Sequence, residues 1–204
     1  MNKDCALIIF AKAPEPGLAK TRLIPALGAD GAARLAARML ATAVQRALEA
    51  GIGPIELCCA PDASHPQFQQ LAHEHGVVLS VQGEGDLGAR MHRAFQRVLQ
   101  HHSKAVLIGT DSLDLGASAL RDAAHALTGH SAVFAPAIDG GYVLVGLTRP
   151  ISRLFEDIEW STSRVMQQTR QRMAQLGVDA RELPACRDID EPDDLAYLPA
   201  EWRE

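Results

Sequence analysis

The chain predicts an α/β fold, a mixed and mostly parallel sheet flanked by helices on both faces. Short apolar runs of strand length recur along it, stretches of helical period separate most of them, and one connection is too short to hold a helix. The runs at residues 6–10, 55–59, 77–81, 105–108, 132–135 and 142–147 are short and largely apolar, as expected for buried strands. Between the first two, Leu35, Met39, Ala43 and Ala47 recur every fourth residue, with Asp30 as N-cap and Gly51 as stop. The same logic predicts a short helix over 68–73 and a stronger one on which Leu87, Met91, Phe95, Val98 and Leu99 share a face. Two more are predicted over 117–127 and 162–176. Parallel neighbours need helical crossovers, which these supply. The step from Ala135 to Tyr142 is the exception: Asp139, Gly140 and Gly141 form a turn sequence that reverses the chain, so one antiparallel pairing is expected.

The 204 residues, 47% hydrophobic and 22% charged, suffice for one domain spanning 1–204, without repeats, linkers or low-complexity tracts. A net charge of −5 lacks the cationic excess on which binding to a phosphate backbone depends, so nucleic acid is not an expected partner. No apolar run approaches the roughly 18–20 residues that span a bilayer, and the strand-like 5–10 stands where a cleavable signal would begin. The expectation is a cytoplasmic protein with no membrane partner. Cys5, Cys58, Cys59 and Cys186 show no C-x-x-C spacing, and neighbouring Cys58 and Cys59 would face opposite sides of a strand. They read as reduced, buried thiols. His73 with His75, and His101 with His102, lie in polar helix-end sequence without a third ligand and read as solvated surface rather than zinc sites.

In open α/β sheets, ligands bind beyond the carboxyl ends of the strands. Residues 11–23, AKAPEPGLAKTRL, follow the first strand and place Lys12, Lys20 and Arg22 within eleven positions around Gly17. A Walker A loop would need glycine where Pro14 and Ala19 stand, so Lys20-Thr21 does not make a P-loop. The segment reads as an anion cradle aiming Lys20 and Arg22 at phosphate oxygens, or as a solvated basic loop. Gly83 to Gly88 satisfies G-x-G-x-x-G between a strand and a helix. It is not at the first strand, and the acid expected about 20 residues later is missing around Lys104 to Val106. It reads as a glycine-rich approach to a base or sugar, or as an ordinary turn. Asp111 closes the fourth apolar run, with Asp114 three residues on; a carboxylate there calls for a pairing cation, or it caps the next loop. Asp188, Asp190, Glu191, Asp193 and Asp194 supply a second acidic group, either for a divalent ion or for the first turn of a last helix.

With these pieces in order, the chain resembles the bacterial family of transferase 1, radical-SAM/selenodomain-associated, whose members look like GT-A-type nucleotide-diphospho-sugar transferases with a Rossmann-like fold. The resemblance covers nearly the whole chain. It rests on Phe10 to Pro14 through Lys20 to Leu23, on Gly85 to Met91, on Ile108 to Asp111, on Pro136 with Asp139 to Tyr142, on Trp160 to Thr162, and on Asp188 to Asp190. The first and fourth are also similar to 2-phospho-lactate and molybdenum-cofactor guanylyltransferases. The resemblance implies donor binding by Lys12, Gly17, Lys20, Arg22, Gly85, Asp86, Gly88 and Arg90. It implies a metal, Mg²⁺ or Mn²⁺, on Asp111 and Asp190, with Asp139 and Tyr142 on the acceptor side. The family commonly has proline where this chain has Leu113 and threonine where it has Glu191, both beside the implied metal ligands.

The leading expectation is nucleotidyl transfer from an NTP to a small phosphorylated or carboxylated acceptor, with pyrophosphate released. Charge building at the α-phosphorus would be neutralised by the metal, Lys20 and Arg22. The rival is glycosyl transfer from a nucleotide-diphospho-sugar, in which Asp139 serves as general base. From another class comes a nucleotide-binding regulatory module without turnover, suggested by Leu113 and Glu191. The base, the acceptor and the oligomeric state leave no mark in the sequence.

Overall fold

The computed structural model describes residues 4–202. Strands β1 (Cys5–Lys12), β2 (Ile55–Ala60), β3 (Val78–Val81), β4 (Lys104–Ile108), β5 (Ala132–Pro136), β6 (Tyr142–Leu147) and β7 (Ala180–Glu182) form one sheet in the order β3-β2-β1-β4-β6-β5-β7. The pairs β1·β2, β1·β4, β2·β3 and β5·β7 are parallel, whereas β6 runs antiparallel to both β4 and β5. The expected mixed sheet is therefore the observed one, and the turn at Asp139 to Gly141 is what inverts β6. Helices α1 (Ile24–Ala50), α2 (Pro66–His75), α3 (Leu87–Val98), α4 (Ala117–Ala126) and α5 (Val165–Leu176) cover it.

Alternation along β1 divides the core. Leu7, Ile9 and Ala11 pack with Leu40 and Val44 of α1 and Leu120 of α4; Ala6, Ile8 and Phe10 pack with Met91 and Phe95 of α3 and Met166 and Met173 of α5. Cys59 belongs to the first layer and Cys58 to the second. All four cysteines are free and buried, and burial pushes the Cys5 and Cys59 thiols up to about 11 and about 12, which keeps them protonated.

Two elements differ from expectation. Helix α1 starts at Ile24, not after Asp30, because the turn led by Pro25 is already helical; the break falls at Gly28 (φ 71°, ψ 167°), so Asp30 lies inside the helix instead of capping it. Strand β7 has no apolar signature. It is a three-residue parallel edge strand, partly and fully exposed, held by its register with Ala132 to Phe134.

A third apolar cluster fixes the C-terminal segment. Ile189 and Leu198 insert against Leu23, Leu35 and Met39, drawing residues 186–190 across the carboxyl end of the sheet. The turn at Gly140 is equally tight. Gly140 has φ 99°, its carbonyl accepts from Met166 N–H at 2.8 Å, and a Cβ there would sit 2.1 Å from the Ser163 carbonyl oxygen. Gly140→Ala is therefore expected to destabilise by about 3 kcal/mol or more, read as a lower urea midpoint at unchanged m-value.

Candidate active site

The chain leaves β1 for β2 on one side, and returns after β3 to β4 on the other. The topological switch therefore lies between β1 and β4, where their carboxyl ends part. A cleft of about 440 Å³ opens there, lined by Lys12 at the end of β1, by Leu18 to Arg22, by Gly109 to Asp111 after β4, and by Asp190.

Lys20 is its pivot. The backbone at Lys20 is left-handed (φ 48°, ψ 45°), a conformation costing about 1–2 kcal/mol for a residue with a Cβ. That turn carries the ammonium inward: the side chain is only 7% exposed, with Nζ 2.6 Å from Asp111 Oδ1 and 3.8 Å from Asp190 Oδ1, and it donates to the Ile189 carbonyl. Arg22, half exposed, reaches Asp190 Oδ2 at 2.8 Å and Glu191 Oε1 at 3.1 Å. Basic groups from the opening loop and carboxylates from the middle and end of the chain thus meet in one hollow.

The carboxylates are placed by backbone contacts rather than by each other. Ile189 N–H donates to the Asp111 carbonyl at 2.9 Å, and Ser112 bridges Asp188 in antiparallel register. Ser112 Oγ donates to the Arg187 carbonyl at 2.8 Å. Asp114 does not line the cleft: its Oδ2 accepts from Arg187 N–H at 2.8 Å and so ties down the C-terminal segment. Asp194 likewise acts as a cap, accepting from the Asp190 and Glu191 N–H groups at 3.1 and 2.8 Å. Asp114→Ala should cost about 1 kcal/mol and selectively speed amide exchange over 186–190, which hydrogen-exchange mass spectrometry would read; unchanged exchange there would remove the tether role.

Two carboxylates directed at one point are hard oxygen donors that suit Mg²⁺ or Mn²⁺, which complete their coordination with phosphate and water. The crowding of negative charge agrees. Half-buried Asp188 is pushed above the usual carboxylate range by burial first, then by the charges of Asp139, Asp190 and Asp111. Among the described residues no group of three or more His, Cys, Asp or Glu forms a complete metal cage. A cation here would therefore draw part of its shell from the substrate. The residues present fit that arrangement.

The other residues singled out in the sequence are distributed as follows. Gly17 (φ 80°) shapes the loop but does not line the cleft. Asp86 caps α3, accepting from Ala89 N–H at 2.8 Å, and Arg90 Nε donates to the Gly85 carbonyl at 2.8 Å. Gly88 is a packing glycine, since a Cβ would stand 2.6 Å from the Phe155 carbonyl oxygen and 2.8 Å from the Trp160 ring. From this motif it is Leu87, and from the next turn Met91, that face the cleft. Asp139 accepts from Gly141 N–H at 2.8 Å and lies in an adjoining hollow of about 240 Å³ shared with Arg22 and Asp190. Tyr142 lines the main cleft beside Trp160 and Phe134, and burial pushes its hydroxyl up, so it remains protonated. Gln82 and Leu18 line the site without having stood out in the sequence as ligand-facing, and Glu191, named there in the acidic group, braces Arg22. Gln82 follows a short half-exposed strand, and only its depth in the fold marks it.

Known structures share this architecture. A candidate nucleotide-diphospho-sugar transferase from Desulfovibrio desulfuricans G20 is similar at 28% identity with a TM-score of 0.86, over 96% of this chain and 87% of that one. A nucleotidyl transferase from Methanothermobacter thermautotroptrophicus is similar at 13% identity with a TM-score of 0.67, over 99% and 98%. Rv0371c from Mycobacterium tuberculosis H37Rv, in complex with manganese, is similar at 17% identity with a TM-score of 0.60, over 96% and 97%. No curated protein matches the chain. The profile of a family described as an uncharacterized protein conserved in bacteria, DUF2064, matches residues 42–162, more than half of the sequence, and the chain belongs to that family.

Proposed function

We propose that this protein is a metal-dependent transferase with a nucleotide donor, and that its reaction is nucleotidyl transfer from an NTP to a small phosphorylated or carboxylated acceptor. The observation that carries the reading is Lys20 Nζ, lying 2.6 and 3.8 Å from the carboxylates of Asp111 and Asp190 on the floor of the cleft, with Lys12 and Arg22 on the same walls. A triphosphate needs such a cationic loop, and a divalent ion needs such a carboxylate pair. The fold shared with a nucleotidyl transferase, and with a protein that holds manganese, supports it. The motif resemblance to the radical-SAM/selenodomain-associated transferases belongs to the same reading, as does a cytoplasmic location; no helix among the described residues is long and apolar enough to cross a membrane.

The chemistry follows from charge. An acceptor oxygen attacks the α-phosphorus, the bond from that phosphorus to the bridging oxygen breaks, and pyrophosphate leaves. Asp111 and Asp190 would hold Mg²⁺ or Mn²⁺, which would supply Lewis-acid stabilisation of the phosphate oxygens. Lys20 moves its ammonium from the carboxylates to those oxygens, and Arg22 can grip a non-bridging pair. Lys12, exposed at the end of β1, steadies the leaving pyrophosphate. Asp139, which lines the adjoining hollow with Arg22 and Asp190, meets the acceptor in this reading.

Glycosyl transfer is the second reading. It is favoured by the similarity to the Desulfovibrio protein, and in it Asp139 serves as base toward an acceptor hydroxyl. Purified protein with Mg²⁺ or Mn²⁺, offered each NTP with a panel of phosphorylated and carboxylated acceptors, is expected to release pyrophosphate. Release of a nucleoside diphosphate from nucleotide sugars, with thermal stabilisation by those donors alone, would transfer the assignment to the second reading.

A further inference from the structure

One cation beside the cleft has no anion to meet. Arg187 lines the adjoining hollow of about 240 Å³, whose wall shares Arg22 and Asp190 with the main cleft. Its backbone is fixed from both sides: the N–H donates to Asp114 Oδ2 at 2.8 Å, and the carbonyl accepts from Ser112 Oγ at 2.8 Å. Its side chain is fixed as well, because the guanidinium carbon stands 3.6 Å from the centroid of the Tyr197 ring. Stacking uses the face of a guanidinium and leaves its in-plane N–H donors free. None of those donors has a hydrogen-bond or ion-pair partner among the described residues. Arg22, the other cation of the hollow, is committed to Asp190 and Glu191. Asp139 and Asp188 line the same hollow, yet neither forms an ion pair with Arg187, which the stack and the backbone ties hold apart from them. An immobilised fork without a counterion is a place for an anion that a ligand brings.

Position gives that ligand its role. In the nucleotidyl-transfer reading the main cleft takes the donor, so the molecule in the adjoining hollow is the acceptor, and Arg22 and Asp190 stand where the two meet. Building on that reading, we propose that Arg187 selects the acceptor: its fork grips one phosphate or carboxylate group, and Asp139 and Asp188 exclude an acceptor that carries a second. The grip is bidentate, two N–H donors to two oxygens of one group. The remainder of the acceptor then faces carboxylates. Hydroxyl or ammonium groups find hydrogen-bond acceptors there, whereas a second anion meets like charge at short range. The hollow is smaller than the roughly 300 Å³ at which drug-sized pockets begin, which keeps the acceptor small. The substrate class is therefore a small compound with a single anionic group and hydrogen-bond donors on the rest of its surface.

The test measures pyrophosphate release with Mg²⁺ and each NTP for two matched acceptor series: glycerol, glycerate, glycerol 3-phosphate and 3-phosphoglycerate, and glucose, gluconate, glucose 6-phosphate and 6-phosphogluconate. In at least one series a member with one anionic group should exceed both the neutral and the doubly anionic member about tenfold in kcat/KM, and the carboxylate and phosphate arms show which anion the fork prefers. Arg187→Gln should raise the KM for that acceptor by about tenfold or more while the KM for the NTP is unchanged. Arg187→Lys, which keeps the charge but not the fork, should recover only part of the loss. Both variants retain the backbone ties to Asp114 and Ser112, and thermal melts verify that they fold. Equal use of neutral or doubly anionic acceptors overturns the inference, as does a wild-type acceptor KM in folded Arg187→Gln. If calorimetry shows that an NTP binds but neither series is turned over, this acceptor class is wrong and the donor reading stands. Failure to bind any NTP overturns the donor reading as well.

Discussion

Asp111→Asn is expected to lower turnover on the order of 100- to 1,000-fold and to weaken the apparent Mg²⁺ affinity by at least roughly tenfold. The substitution keeps the size and one oxygen of the side chain but removes the charge that faces the cleft. It spares the structural tie made here, because that tie runs through the backbone: the Asp111 carbonyl accepts from Ile189 N–H at 2.9 Å whichever side chain is present. Lys20 is buried, so loss of the Asp111 charge leaves its ammonium with Asp190 at 3.8 Å and the Ile189 carbonyl, at a stability cost of about 1–3 kcal/mol. Kinetics over a metal titration, beside thermal melts of the free protein, separate the two effects. A variant with wild-type turnover at ordinary Mg²⁺ would show that Asp111 holds no cation, and the transferase reading would lose its centre.

Much of this site is legible in the sequence because its parts sit at strand ends. Each of the six apolar runs becomes a strand, and the rule that ligands gather beyond their carboxyl ends points to Lys12, Lys20, Arg22 and Asp111 before any coordinate is known. The turn at Asp139 to Gly141 announces the reversal of β6 in the same local way. What is not legible depends on tertiary packing. The acidic run and the resemblance single out Asp190, but the packing that brings it to the cleft is not encoded in any periodicity: Ile189 buries against Leu23 and α1, a contact some 166 residues apart in sequence. Strand β7 exists only through its partner β5, and the helical turn before Gly28 only through a proline and a cluster that it helps to form. The glycine-rich motif shows the opposite limit: Gly83 to Gly88 matches a nucleotide fingerprint, yet Asp86 and Gly88 are occupied in starting α3 and in fitting against Phe155 and Trp160. A spacing pattern cannot distinguish a backbone that approaches a ligand from one that approaches an aromatic ring.

Lys20→Gln should separate two quantities that usually fall together. In the free protein the ammonium pairs with Asp111 and Asp190, the two carboxylates that would hold a divalent cation, so it would compete with a metal arriving without nucleotide. Glutamine retains a donor for the Ile189 carbonyl and removes the positive charge, leaving Asp190 with Arg22, which Glu191 shares, and Asp111 with no ion-pair partner among the described residues. Metal binding to the free variant should therefore tighten, by about tenfold for the loss of one competing charge at close range. Turnover should fall on the order of 100-fold or more, because the transition state loses the cation that moves to the phosphate oxygens. Mn²⁺ binding followed by electron paramagnetic resonance, and steady-state rates at saturating metal, measure the two separately. Weaker metal binding in the variant would mean that Lys20 supports the carboxylates rather than competing for them. The cation would then lie elsewhere in the cleft, and the movement assigned to Lys20 would have to be abandoned.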